Sequence, residues 1–443
     1  MKLFNTLFLN PRFFQVIGIL AAIFVVSFIV PALLLVAKLF FLLFLALTAA
    51  DLILLYRAKK GLDGSRLVPD RLSNGDDNEI VIALENYYVF AVSVQVYDEL
   101  PPEFQKRDLV FRRKMEAGAK QRMAYLLRPT RRGSYSFGAL IVLASSPIGL
   151  VARRFRFSQD VVLPVYPSFI QMRQYEIMAF SQRLWQAGIK KVRRIGHSQE
   201  FEHIKEYVVG DDFRTVNWKA TGRRHKIMVN HYQDERSQQI YCLIDKGRTM
   251  QMPFDGLSLL DYAINASLVL SNLIIKKSDK AGLITFQDTV NLLLPASRMG
   301  TQMKRIMEAL YNQKTAYPES DFSSLAGTVK ANIAQRSLLL LFTNFETIYA
   351  LQRQLPYLVS LSRQHLVVVI FFENTALQET ISSPARGLRQ LYHKVIAEQL
   401  HYEKRLIVKE LIRHGIQALL TPPQQLSVNV INKYLELKAR NLI

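Results

Sequence analysis

Two long apolar runs near its start leave this chain few ways to fold. Phe13 to Val30 carries no charge, Pro31 follows, and a second run from Ala32 to Tyr56 holds only Lys38 and Asp51 as charges. A helix crosses a bilayer with ~20 apolar residues, and lipid offers no partner to an open backbone. The pattern predicts a transmembrane helical hairpin over residues 1–60, with spans at about 13–30 and 39–56 and a tight turn between Pro31 and Lys38. Lys38 would snorkel to the outer interface, and Asp51 would approach the opposite headgroups. Lys2 and Arg12 precede the pair, and Arg57, Lys59, Lys60 and Arg66 follow it, so the positive-inside rule places both ends in the cytoplasm. A cleaved signal peptide would have an apolar core of only ~7–15 residues.

The 443 residues leave room for further domains. Residues 61–78 read as a polar linker, rich in Gly, Asp, Arg and Ser. From 79 to 167 short segments such as Ile80–Asn86 and Val89–Asp98 alternate apolar and polar residues between turn signals, which predicts a small all-β sandwich of immunoglobulin-like class. This region is basic: Lys106, Arg107, Arg112, Arg113, Lys114, Lys120, Arg122, Arg128, Arg131 and Arg132 face only Asp108 and Glu116. The whole chain carries +21, which suggests an anionic neighbour, either nucleic acid or the cytoplasmic face of a membrane. No helix-turn-helix, zinc module or RNA-binding aromatic motif accompanies the charge, so the anionic leaflet is expected and nucleic acid is not. The single cysteine, Cys242, excludes an intrachain disulfide framework and favours a reducing compartment.

Residues 168–236 form a connector, helical at first and then basic at Lys190, Lys191, Arg193 and Arg194. From 237 to 443 apolar strands alternate with amphipathic helices in the order β-α-ββ-α-α-β-α-β-α-β-α, which predicts a three-layer α/β domain of Rossmann type around a mostly parallel sheet. A ligand of such a sheet sits beyond the carboxyl ends of its strands.

The connector ends in the most polar stretch of the chain, Gly196 to Arg236. Seven acids (Glu200, Glu202, Glu206, Asp211, Asp212, Asp234, Glu235) and seven bases (Lys205, Arg214, Lys219, Arg223, Arg224, Lys226, Arg236) are interleaved there with Phe201, Tyr207, Trp218 and Tyr232. Balanced charges among aromatic residues predict ion pairs that are partly buried, since a buried charge persists only when paired. They would form a seam between the two soluble modules, with Trp218 as a packing anchor. Glu200, Phe201, Lys205, Glu206, Tyr207, Gly210, Asp211, Asp212, Arg214, Asn217, Trp218, Lys219, Thr221, Arg223, Glu235 and Arg236 together resemble the signature of the bacterial membrane-anchored family called domain of unknown function 58. Lys205 stands where that family usually has Arg, and Gly222 where it usually has Ala. Upstream, Ser146-Pro147-Ile148-Gly149-Leu150 resembles the family's Asp-Pro-Phe-Gly-Leu but has lost the acid and the aromatic ring.

The order of strands and helices after residue 237 resembles the von Willebrand factor type A domain, which the family carries. That resemblance implies a Mg²⁺ loop of the form Asp-x-Ser-x-Ser after the first strand. Here the loop is Asp245-Lys246-Gly247-Arg248-Thr249, and Asn344 stands where a second acid is expected. The site is therefore expected to be degenerate and empty, with Asp245, Thr249 and Asn344 as its candidates. The family resemblance further implies a partner, a MoxR-type AAA+ ATPase, and a place in the bacterial inner membrane.

Asp211 and Asp212 could alternatively be catalytic acids, with Arg214 or Arg223 as anion binders. Adjacent acids do not converge without a bend, and we read them as salt-bridged structural groups. The histidine pairs His197/His203 and His225/His231 lack cysteines and zinc-site spacing. No phosphate-binding glycine loop, nucleophile elbow or H-E-x-x-H occurs, and no small-molecule substrate is indicated. The expectation is a non-enzymatic, membrane-anchored interaction or scaffold protein with chaperone-like work in assembling envelope or other complexes. An enzyme site within 200–236 and a metal-dependent adhesion-like module are the alternatives.

Overall fold

The structure is a computed structural model that describes residues 6–31, 33–58, 60–106, 109–157, 161–180, 200–209, 211, 213–233, 237–384 and 387–442. The chain divides into two compact units, Met1–Tyr166 and Pro167–Ile443.

The first unit begins with a short strand, β1 (Leu7–Leu9), followed by two apolar helices, α1 (Pro11–Ile29) and α2 (Leu33–Arg57). Pro11 opens α1 where its missing N–H costs nothing. Both helices are long and apolar enough to cross a membrane, and most of their side chains are exposed. The turn is tighter than expected. Pro31 ends the first run, and α2 already begins at Leu33, so Lys38 lies inside the helix rather than in the turn.

Ten further strands follow: β2 (Leu62–Leu67), β3 (Leu72–Ser73), β4 (Asn78–Asn86), β5 (Val92–Asp98), β6 (Val110–Met115), β7 (Lys120–Leu127), β8 (Gly133–Phe137), β9 (Leu140–Ser145), β10 (Val151–Phe157) and β11 (Val161–Tyr166). They make a five-stranded sheet, β1-β10-β9-β5-β6, and two three-stranded sheets, β2-β4-β7 and β3-β11-β8. Alternating residues of these strands, such as Ile80, Ile82 and Leu84 on β4 and Val92, Val94 and Val96 on β5, fill one shared core. The strand-rich expectation for 79–167 holds, but its boundary does not. Residues 61–78, expected as a linker, supply β2 and β3. Leu62 and Leu72 are buried, and Arg66 is buried against Asp98, with Arg66 Nη2 also donating to Gly138 O at 3.0 Å. A paired internal acid makes Arg66 a core residue, not a charged flank of the helices.

The helix pair is built into this sheet structure. β1 pairs antiparallel with β10, so the segment before α1 meets the segment after α2. Asp51 of α2 is fully buried. Its carboxylate accepts from Ser146 Oγ and from the amides of Leu150 and Val151, both at 2.8 Å. Arg153 Nη1 donates to the carbonyls of Leu55 and Ala58 at 2.9 Å, closing the carboxyl end of α2. The segment Ser146-Pro147-Ile148-Gly149-Leu150 is thus tied to an acid 95 residues earlier in the chain.

The second unit opens with α3 (Phe169–Phe180), a ribbon of β12 (Glu200–Glu206) and β13 (Met228–Gln233), and the short helix α4 (Trp218–Arg224) between them. The sheet follows in the order β14 (Gln239–Asp245), a two-residue ladder β15 (Pro253–Phe254) and β16 (Leu257–Ser258), α5 (Leu259–Lys276), β17 (Lys280–Phe286), β18 (Val290–Ser297), α6 (Gln302–Tyr311), α7 (Phe322–Asn332), β19 (Leu338–Phe342), α8 (Ile348–Ser362), β20 (Leu366–Phe372), α9 (Thr375–Ser382), α10 (Leu388–Arg413), β21 (Gln417–Thr421) and α11 (Leu426–Ala439). Its six main strands run β18-β17-β14-β19-β20-β21, all parallel except β18. Strand order therefore reverses beside β14, which places a crevice beyond the carboxyl ends of β14 and β19.

Separate apolar cores cover the two faces, one around α5 and α11 and the other around α7 and α8. α5 is itself long and apolar enough to cross a membrane, but nearly all of it is buried against the sheet. A Ser258–Asp261 capping box starts it.

Candidate functional site

Two places bring chemically able residues together. The first is the ribbon and α4. Asn217 caps α4 by accepting from the Ala220 amide at 3.0 Å, and its Nδ2 donates to Asn230 Oδ1 at 2.8 Å. Thr221 Oγ1 accepts from the Met228 amide at 3.0 Å. Asn217 and Thr221 thus fix the helix to β13. Glu200 and Phe201 lie on β12 opposite Gln233 and Tyr232. Lys205 Nζ meets Asp211 Oδ1 at 2.8 Å, while Asp211 Oδ2 accepts from the Val208 amide at 3.0 Å. Lys226 meets Glu206 at 3.0 Å. Tyr207 packs on Phe213, with ring centroids 5.1 Å apart. Gly210, Asp212, Glu235 and Arg236 lie outside the described residues.

Two of these pairs form among the described residues; Lys205–Asp211 is partly buried, and the expectation of partial burial is corrected for Lys226–Glu206 and the remaining cations. Lys226 and Glu206 stand mostly in solvent, Lys205 and Asp211 are about one-third to one-quarter exposed, and Arg214, Lys219, Arg223 and Arg224 are exposed. Trp218 is 73% exposed, so it is no packing anchor. The physical reason is size. A two-stranded ribbon and a seven-residue helix enclose little volume, and among the residues between 204 and 230 whose burial is described only Met228 and Val229 are buried. Val208, Val209, Phe213, Trp218 and Ile227 stand exposed in this segment, as do its cations Arg214, Lys219, Arg223 and Arg224. Asp211, spent on Lys205 and the Val208 amide, is poorly placed to act as a free catalytic acid.

The second place is the carboxyl end of the sheet. Asp245, the last residue of β14, is buried. Its Oδ1 accepts from Ser320 Oγ at 2.5 Å and from the Gly247 amide at 2.8 Å, and its Oδ2 accepts from Thr343 Oγ1 at 2.6 Å. Burial pushes this carboxyl up from its ordinary range, and the bonds from Ser320, Thr343 and Gly247 hold it back. Sequence reading missed Ser320 and Thr343, which lie 75 and 98 residues away along the chain. Gly247 also has no room for a side chain, since a Cβ there would stand 1.8 Å from Ser320 Oγ.

Asn344 and Thr249, the other metal candidates, meet through a weak bond from Asn344 Nδ2 to Thr249 O at 3.4 Å. Asn344 Oδ1, however, accepts from Lys404 Nζ at 2.6 Å. A hard divalent ion needs several converging oxygens. Here the one carboxylate is saturated by donors, and the amide oxygen already holds an ammonium, so the residues do not fit Mg²⁺.

Lys404 also donates to the Phe345 carbonyl at 2.6 Å and lies 5.7 Å from the Phe371 ring centre. Burial pushes its ammonium down to about 8, with Glu346 pulling the other way. It lines a cleft of about 210 Å³ whose walls include Phe254, Leu259, Phe372, Leu377 and Leu400, with Glu373 and His401 paired at 3.5 Å.

An open, mostly parallel sheet covered on both faces, preceded by an exposed ribbon-and-helix segment, defines the second unit as a doubly wound α/β domain. Residues 203–401 match the family model described as protein of unknown function DUF58. A relative in Bacillus subtilis (strain 168), described as uncharacterized protein YeaD, is 25% identical over 203 residues, covering 44% of this chain and 50% of its own length. The chain thus spans about half the length of the curated relative it matches. Among solved structures, an ASH/PapD-like domain of human CEP192 is similar at 14% identity and TM-score 0.19, covering 25% of this chain and 87% of its own. Proximal thread matrix protein 1 of the mussel byssus is similar at 11% identity and TM-score 0.26, covering 46% and 47%. Both structural likenesses are too weak to assign a function.

Proposed function

We propose that this chain is a membrane-anchored, non-enzymatic interaction protein of the bacterial inner membrane. Its partner would be a MoxR-type AAA+ ATPase, and its work chaperone-like assembly of envelope or other complexes. The carrying observation is the exposure of the apolar residues in the signature segment. Trp218, Phe213 and Val209 stand in solvent beside Lys219, Arg223 and Arg224. Exposed aromatic residues with arginine are the composition of interface hot spots, and apolar groups left in water mark binding surfaces.

In this reading α1 and α2 form a hairpin. β1 before the helices pairs with β10 after them, so these two strands lie on one side of the bilayer. The positive-inside rule makes that side the cytoplasm. The sheets of the first unit act as an immunoglobulin-like sandwich. Its exposed cations on β6 and β7, Arg112, Arg113, Lys114, Lys120 and Arg122, attract the anionic leaflet by about 1 kcal/mol each where they approach it. β6 and β7 are also edge strands, and charge there keeps copies from pairing edge to edge. The second unit acts as a von Willebrand factor type A-like platform whose ion loop works without metal.

Purification from solubilised membranes with nucleotide present tests the partner. The wild-type chain recovers the ATPase, and Trp218→Ala with Phe213→Ala loses it while melting unchanged. Recovery of no ATPase by the wild type, or undiminished recovery by the variant, refutes the proposal.

A further inference from the structure

The cleft at Lys404 belongs to the site already described. A different feature has no role in it: the outer face of α10. Leu388, Leu391, Tyr392, Val395, Ile396 and Tyr402 are 51% to 74% exposed. Their spacing of three and four residues lines them along one side of the helix. Ala397, Ile407 and Leu411 of the same helix are buried. Such a stripe normally faces a core, and here it faces water.

The charges beside the stripe say what covers it. Along the stripe Lys394 precedes Glu398 by about one turn of α10. At 100° per residue, both fall on one edge of the stripe. In an antiparallel pair with its two-fold axis level with Ile396, Lys394 therefore meets Glu398 of the partner subunit. Leu391 then meets Tyr402 of the partner subunit, and Val395 packs near the axis. The two-fold operation makes this opposite-sign contact twice, once from each copy, as an isologous contact requires.

We infer that the outer face of α10, from Leu388 to Tyr402, is a self-association surface that joins two copies of this chain as an antiparallel helix pair. The stripe is ~22 Å long, less than a standard interface occupies, so the pair is reversible. Self-association on this face is independent of the proposed ATPase partner.

The test uses the full chain in detergent, with mass measured by sedimentation across a concentration series. The wild type shifts from monomer to dimer. Val395→Glu and Lys394→Glu each weaken the dimer by about tenfold or more. Lys394→Glu combined with Glu398→Lys restores it, because the swapped charges meet again. Val395→Cys yields a disulfide-linked dimer on oxidation, and the buried Cys242 does not compete. All variants keep the wild-type melting temperature, since none of these positions is buried. A wild type that stays monomeric at every concentration overturns the inference. So does a charge swap that fails to restore the dimer, or a stripe occupied by a different polypeptide in place of a second copy.

Discussion

Replacing Asp51 with leucine should damage this protein, although hydropathy alone predicts the reverse. An aspartate inside an apolar helix costs about 2.5–3.5 kcal/mol at the centre of a bilayer, so leucine looks favourable by composition. Asp51, however, accepts from the Leu150 and Val151 amides and also receives Ser146 Oγ, all in the interior of the first unit. Leucine takes the acceptor from two buried N–H groups, at about 1–3 kcal/mol each, hence about 2–6 kcal/mol in total. For a unit of this size the loss corresponds to roughly 4–24 °C in melting temperature. Asp51→Asn keeps one acceptor oxygen and falls between the two. The assay is thermal unfolding of the detergent-solubilised chain, with membrane insertion checked separately by flotation. If Asp51→Leu inserts normally and melts at or above the wild-type temperature, the proposed coupling between α2 and the loop before β10 is wrong.

Asp98→Ala strands the guanidinium of Arg66 in the core and costs about 3–5 kcal/mol by denaturant titration. Asp211→Asn breaks a partly exposed pair and changes stability by less than about 1 kcal/mol in the same titration. Lys404 titrates at about 8 in the folded chain and at its ordinary 10.5 when unfolded. Between those values the unfolded chain holds the extra proton, so stability rises with pH across the window, by about 3 kcal/mol at most. Lys404→Met removes that rise from a melting profile taken between pH 8 and 10.5. Millimolar Mg²⁺ leaves the melting temperature of the full chain unchanged, and a clear upward shift would restore the metal reading of Asp245.

What can be read from residues alone comes from periodicity. The two apolar runs form α1 and α2, and the alternation after residue 237 forms the open sheet, because spacing sets which face is buried. The failures share a cause: they involve contacts distant in sequence. Leu62, Arg66 and Leu72 look like linker residues until Asp98 and the sheet core are placed beside them. Leu7–Leu9 gives no strand signal of its own and becomes β1 only against β10. α9 is too short to announce itself by spacing. At the candidate site, Asp245 is visible at the end of an apolar run, but Ser320, Thr343 and Lys404 reach it or its neighbour Asn344 only through folding. The signature stands out as a pattern, yet balanced charge does not reveal how little volume a ribbon encloses.

The pairing of β1 with β10 also sets an order of events during synthesis. About 140 residues separate the two strands, so β1 leaves the ribosome long before its neighbour exists. At ordinary elongation speeds of about 5–20 residues per second, that wait lasts roughly 7–28 s. Both helices are made within this interval, and the last edge of the first unit can close only after they have found their place.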